Sequence, residues 1–295
     1  MRHIIPISGK DSLATAIVQA KLEPNLHYEY IYNETRMELP ETYRWLKLVE
    51  NTMGITIHRA GKNLEAIIYD QGILPSPRTR YCTRLSKIYP MLDYIGKDNA
   101  TLYIGIRADE DRVGAKEEKN TIVRYPLKEH KIGLQHVYAL VEAANLMPPS
   151  FFWQRLYDAV VAAVQAKSLI EELPRWIFDR TFAWRSRPNC FMCFYQRRYE
   201  WVGLLEHHPK LFERSEAIES TVGNGDGIRR DGGFFFIGED YPLSKIRANS
   251  KLIFNKRVAA IAKWLLNHSQ SELFTDALID DMEMAQKSCG LYCGK

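Results

Sequence analysis

The sequence has no run approaching the roughly 18 consecutive apolar residues that a membrane-spanning helix needs. Its N-terminus lacks the apolar core of a secretory signal. No internal repeat and no long Gly/Ser linker interrupts it. Cysteine is sparse and odd in number: Cys82, Cys190, Cys193, Cys289 and Cys293. An odd count without an export signal argues against a disulfide framework and for metal or redox chemistry in a reducing cytoplasm. A large excess of one sign of charge is also lacking, with 40 Lys and Arg against 36 Asp and Glu. A net +4 permits an anionic ligand but is too small to argue for nucleic acid by itself. What remains is an ordinary globular composition, 46% hydrophobic and 26% charged over 295 residues. That length suffices for one large α/β domain with an appendage, or for two domains.

The chain is organised around its first twenty residues. Residues 3–7 read as a short buried strand, Ser8-Gly9-Lys10-Asp11-Ser12 as a tight loop, and Leu13 to Lys21 as a helix with apolar residues at helical spacing. A helix N-terminus presents N–H groups and a partial positive charge, so such a loop builds an anion site. Gly9 lets a phosphate approach the backbone, Lys10 adds a cation, and Ser8 and Ser12 supply hydroxyls. Asp11 would repel phosphate unless Mg²⁺ sits between them. The spacing is not that of the Walker loop. The plainer alternative is a capped helix with Ser8 or Asp11 as the cap.

A second strand is expected over 27–32, ending in Asn33-Glu34-Thr35, followed by a helix from Pro40 to Met53 and a third strand over 55–58. Strand–helix–strand alternation predicts a parallel, doubly wound sheet, with ligands beyond the carboxyl ends of its strands. A helix ends near Ile95, and a fourth strand over 101–106 delivers Arg107 and Arg112 at its edge. These arginines are anion-site candidates. Their competing assignment is a surface salt-bridge cluster with Asp109, Glu110 and Asp111. A helix is expected over 135–145, and residues 150–180 carry apolar and aromatic residues at the spacing of two helices.

Cys190-Phe191-Met192-Cys193 is a C-x-x-C, which lets two thiolates grip one metal from a single turn. A redox pair and unliganded core cysteines are the alternatives. Iron and zinc both accept four thiolates, so ligand count does not separate them.

Gly9-Lys10-Asp11-Ser12 resembles the PP-loop of the adenine nucleotide alpha-hydrolase-like superfamily, usually SGGKDS, with Ile7 and Ser8 departing from it. From residue 3 to about 245 the motif order resembles the phosphoadenosine phosphosulfate (PAPS) reductase family. Asn33-Glu34-Thr35 with Glu38-Leu39-Pro40-Glu41-Thr42 is similar to its D-T-G…E-F-P-E-T segment, with Glu34 in place of Asp. Arg80-Tyr81-Cys82-Thr83 with Lys87 and Pro90 is similar to its C-T…K-x-x-P segment, and Gly105-Ile106-Arg107 to its G-x-R strand end. Residues 189–209 resemble its C-x-x-C-P…E-W…H-P stretch, with Phe194 replacing Pro.

The resemblance implies an adenine nucleotide alpha-hydrolase-like domain over 1–146, a helical insertion over 147–187, and a cysteine-bearing region over 188–295 folding back on it. It implies a cytoplasmic enzyme that binds an adenine nucleotide at Ser8, Gly9, Lys10, Asp11, Ser12, Asn33, Glu34, Thr35, Arg107 and Arg112. Lys10-Asp11-Ser12 is similar to the ATP-using, DndC-like branch, which implies Mg²⁺ and cleavage at the α-phosphate, with Lys10, Asp11 and Arg107 in catalytic roles. Cys289-Gly290-Leu291-Tyr292 is similar to the C-terminal motif of the sulfonucleotide reductases. That similarity implies PAPS or its unphosphorylated analogue as substrate and Cys289 as nucleophile. The resemblance also implies a [4Fe–4S] cluster on Cys82, Cys190, Cys193 and a C-terminal cysteine, Cys293, or Cys289 in the opposite assignment. A sulfur donor or thiol reductant protein and an oligomer are compatible with it. A non-catalytic module with structural zinc, docking nucleic acid through Arg197, Arg198, Arg229, Arg230, Lys256 and Arg257, is the alternative outside catalysis.

Overall fold

The computed structural model describes residues 1–112, 114, 120–149, 152–167, 173–184, 190–223, 235–237 and 240–268. Five strands form one parallel sheet in the order β3-β2-β1-β4-β5: β1 (Arg2–Pro6), β2 (Tyr28–Asn33), β3 (Ile57–Ala60), β4 (Ala100–Tyr103) and β5 (Thr121–Arg124). The chain winds outward through β2 and β3, then returns to the other side of β1 for β4 and β5. The gap between β1 and β4 is therefore the topological switch point, where such sheets bind ligands.

Helices α1 (Lys10–Leu22), α2 (Pro40–Met53) and α3 (Leu64–Gln71) follow the first three strands. A helical run then comprises α4 (Tyr81–Thr83), a π turn (Arg84–Ile88) and α5 (Tyr89–Ile95). Beyond β5 come α6 (Pro126–Glu129) and α7 (Leu134–Ala143). Period-2 alternation explains why both sheet faces are covered. Ile5, Tyr30, Tyr32 and Tyr103 pack with residues of α1, α2 and α7, whereas Ile4, Ile31 and Leu102 pack with Met91 and Ile95 of α5. The doubly wound α/β expectation holds.

The remaining helices build a second layer: α8 (Gln154–Gln165), α9 (Arg175–Phe182), α10 (Arg198–His207), α11 (Pro209–Gly223), α12 (Leu243–Ala248) and α13 (Ser250–His268). Helix α8 packs along α13, and both share one core with α10, α11 and α12. Met37, Leu39, Leu64 and Ile68 of the sheet domain belong to that same core. The indole of Trp153 donates to Glu206 Oε2 at 2.7 Å, which fastens the start of α8 to α10. Among the described residues no helix is long and apolar enough to cross a membrane.

Several boundaries differ from the sequence reading. Helix α1 starts at Lys10, not Leu13, because Ser12 lies within its first turn and its hydroxyl accepts the N–H groups of Ser8 and of the cap residue Gly9. Strand β4 ends at Tyr103 rather than 106, and α3 and β5 were not expected at all.

Candidate functional site

Ser12 decides the shape of the loop after β1. Its Oγ accepts the N–H groups of Ser8 (2.8 Å) and Gly9 (3.0 Å) and donates to the Gly9 carbonyl (2.9 Å). The loop is thus closed by its own last residue, and Lys10, Asp11 and Ser12 form the first turn of α1. Sequence left two assignments for Ser8 and Asp11 as caps; the capping hydroxyl is Ser12's. The cap residue itself is Gly9, in extended backbone.

Gly105 brings the second half of the site. A Cβ there would lie 2.7 Å from the Asp11 carbonyl carbon and the Ser12 nitrogen. Only glycine lets the chain leaving β4 lie against the first turn of α1. Two residues on, Arg107 is 4% exposed. Its Nη1 meets Asp11 Oδ1 at 3.1 Å and Glu110 Oε1 at 3.3 Å, and its Nε donates to Asp109 Oδ1 at 3.0 Å. Arg112 pairs with the other oxygen of Glu110, and Lys10 Nζ lies 3.6 Å from Asp11 Oδ2. Three cations therefore interleave with three carboxylates.

Asp11 shows the balance of forces. Burial pushes its pKa up, but Lys10, Arg107 and Arg112 outweigh burial and hold it below the ordinary aspartate value. The carboxylate stays ionised, as a metal-holding or charge-positioning role requires. Asp109 does double service: its Oδ2 accepts the Leu134 N–H at 3.0 Å and so caps α7. The Lys10 ammonium stands 5.6 Å above the ring of Tyr138 in α7. Neither Tyr138 nor the capping role of Asp109 was read from the sequence. For Asp109, nothing in its place after the fourth strand gave a cue that it would reach a partner 25 residues along the chain.

At the end of β2 the site changes character. Glu38 is buried and accepts Thr35 N (2.9 Å), Thr35 Oγ1 (2.6 Å), Met37 N (3.1 Å) and Tyr43 O–H (3.2 Å). Glu34 N donates to the Ala60 carbonyl at 2.6 Å. Gly61, at φ 151°, crosses so close that a Cβ would collide with the Glu34 carbonyl. Asn33 is 4% exposed, and neither its amide nitrogen nor its amide oxygen has a hydrogen-bond partner.

The C-x-x-C docks on this same edge, because Phe191 N donates to the Met37 carbonyl at 2.8 Å. Cys190 and Cys193 lie in hydrogen-bond contact, with Cys82 and Lys87 near enough to act on the Cys190 thiol. The Cys193 contact, burial and Cys82 raise that thiol's pKa well above its ordinary value, while the Lys87 ammonium in the π turn opposes them. Soft thiols suit a thiophilic metal. Among the described residues, however, no three His, Cys, Asp or Glu side chains are arranged to hold one ion. Cys289 and Cys293 lie outside the described residues.

All of Ser8–Ser12, Asn33–Thr35 and Arg107 thus stand at the carboxyl edge of the sheet, around the β1 end. Arg112 joins through Glu110. Residues 2–140 match the family model of the phosphoadenosine phosphosulfate reductase domain. No curated protein matches the chain.

Proposed function

With residues 2–140 belonging to the phosphoadenosine phosphosulfate reductase domain family, we propose that the chain is an adenine-nucleotide enzyme that binds ATP and cleaves it at the α-phosphate. The supporting observation is the closure of Gly105 onto Asp11 and Ser12, which sets Arg107 and Lys10 around the start of α1. Phosphates lie at that helix start, where the N–H dipoles and both cations favour negative charge. Asp11 would hold a Mg²⁺ carried in with the phosphates, since that ion binds through one or two carboxylates plus substrate oxygens. An acceptor nucleophile attacks the α-phosphorus, the bond to the bridging oxygen of the β-phosphate breaks, and pyrophosphate leaves with the charge. Lys10 and Arg107 offset charge that develops on the phosphoryl oxygens. Arg107 is held in place by Asp109 and Glu110 rather than free to follow the ligand. Adenylylation of an acceptor that then receives sulfur fits the sulfonucleotide setting of the family.

The domain match favours a second reading, sulfonucleotide reduction. In it the Cys289 thiolate attacks the sulfate sulfur, the nucleotide leaves through its phosphate oxygen, and a thiol reductant protein releases sulfite from the cysteine. Either reading accommodates an iron–sulfur centre, a proposal supported by the Cys190–Cys193 contact, with Cys82 near enough to act on the Cys190 thiol. Cys293 would supply the fourth thiolate, or Cys289 if their roles are reversed. Such a centre supplies electrostatic or redox tuning when bound.

Pyrophosphate release is the deciding measurement. The ATP reading expects Mg²⁺-dependent release of pyrophosphate, lost in Lys10→Ala. Thiol-dependent sulfite release from PAPS with ATP untouched would establish the second reading instead. Iron assay after anaerobic purification tests the centre: Cys190→Ser should lose iron, and a parent holding zinc alone would overturn it.

A further inference from the structure

Buried side-chain amides are almost always hydrogen-bonded, because losing water without replacement is costly. Asn33 breaks this rule at both ends of its amide while only 4% exposed. Its location gives the exception meaning. Asn33 is the last residue of β2, and β1 pairs with β2 through Pro6↔Ile31. The same register carried two residues further sets Ser8 alongside Asn33, about one strand spacing of 4.8 Å away. Along β2, Asn33 alternates with Ile31 onto the face that α5 covers, opposite to α1. The backbone around it is already committed: Glu34 N donates to Ala60, and Gly61 closes over Glu34.

We propose that Asn33 reads the base of the bound nucleotide, its amide accepting from the 6-amino group and donating to N7 of adenine. This rests on the nucleotide reading above and holds for ATP and a sulfonucleotide alike, since both carry that base. A neutral amide offers one donor beside one acceptor, the complement of the adenine N6/N7 edge. The corresponding edge of guanine shows two acceptors, O6 and N7, and leaves the amide oxygen facing another oxygen. Asn33 is thus a specificity residue. It is kept unsatisfied in the free protein so that the base completes it.

The test is equilibrium dialysis of the full chain with Mg²⁺ and ATP, GTP or 7-deaza-ATP, which lacks the N7 acceptor. The parent should bind ATP about tenfold or more tightly than GTP, and about tenfold more tightly than 7-deaza-ATP, the discrimination expected of a bidentate amide. Asn33→Leu should bring both ratios near one and raise the melting temperature, because two unsatisfied buried atoms are gone. Asn33→Asp keeps the shape and tests the same point if the leucine variant does not fold: it should weaken ATP while losing the penalty for 7-deaza-ATP. Unchanged ratios in the variants would overturn the role of Asn33 and leave nucleotide binding standing. A parent that binds none of the three would overturn both.

Discussion

Two buried charges stand at the same edge of the sheet, and they are neutralised in opposite ways. Arg107 is surrounded by ions: Asp11, Asp109 and Glu110. Glu38 is surrounded by dipoles: two backbone N–H groups, a threonine hydroxyl and a tyrosine hydroxyl. An ionic surround can trade partners when a charged ligand arrives, because Asp11 and Glu110 each have a second cation nearby, Lys10 and Arg112. A surround of fixed dipoles cannot, and serves to hold the loop after β2 in one shape. The difference assigns the Arg107 side of the edge to charge chemistry and the Glu38 side to shape.

The sharpest way to break that contrast is to remove Arg107. Arg107→Ala leaves three carboxylates together in a poorly solvated place and should cost about 3–5 kcal/mol in denaturant unfolding. Adding Asp11→Asn to that variant should restore about 1–2 kcal/mol, the signature of charges acting as a set. Additive losses would mean that Arg107 contributes packing and not charge balance.

At the opposite edge of the sheet, Arg2 clamps Glu29 through two bonds of 2.7 and 2.6 Å, with the Tyr94 hydroxyl on the same carboxylate at 2.7 Å. The Arg2 guanidinium holds the Glu29 pKa down, to about 2. A depressed carboxylate contributes stability that is complete above its unfolded value of about 4.5 and disappears as pH falls through about 2. Discounted for solvent screening of this partly exposed pair, that contribution amounts to about 2–3 kcal/mol. Glu29→Gln should therefore flatten the acid limb of stability between those pH values while leaving nucleotide binding unchanged. Glu38→Gln should cost less, about 2 kcal/mol, because the amide keeps one acceptor for Thr35 but turns its N–H₂ toward Met37 N. Hydrogen exchange of the Thr35 and Met37 amides should report that loss locally.

Much of this site was legible because it is written in short contiguous motifs. Gly9-Lys10-Asp11-Ser12 and Gly105-Ile106-Arg107 each carry their own geometric reason, a capped turn and a close backbone approach. The alternation of short strands with helices over residues 3–58 pointed to the parallel sheet. What escaped was either too short or too distant. Strand β5 has only four residues, and only Thr121 among them is buried, so no apolar alternation marks it. Helix α3 did carry a signal, since Asn63 Oδ1 caps it by accepting Glu65 N and Ala66 N, but its eight residues have weak periodicity. The π turn at Arg84–Ile88 follows no pattern that residue spacing could show. The competing assignments of Arg107, anion site and salt-bridge cluster, meet in one arrangement: it does pair with Asp109 and Glu110, but in a buried place beside Asp11.

Arg36 is the smallest of these effects and the one the sequence hides most completely. It sits between the Glu34-Thr35 turn and Glu38 with φ at 60°, in the left-handed region that side chains other than glycine enter at a cost. The D-T-G segment that this stretch resembles carries glycine at that position, so a turn normally announced by glycine is here made by an exposed arginine. Its shape is enforced from the next residues, through the Glu38 bonds to Thr35 and Met37. Arg36→Gly should relieve the left-handed strain, roughly 1–2 kcal/mol, while raising the unfolded-chain entropy by part of that amount. The net expectation is a gain of at most about 1 kcal/mol in the parent. In the Glu38→Gln background, where the enforcing bonds are weakened, the same substitution should gain more than in the parent. Thermal unfolding of the four proteins in that cycle measures the difference. An equal gain in both backgrounds would mean that Glu38 does not hold the turn, and the division of the sheet edge into a charge side and a shape side would lose its second half.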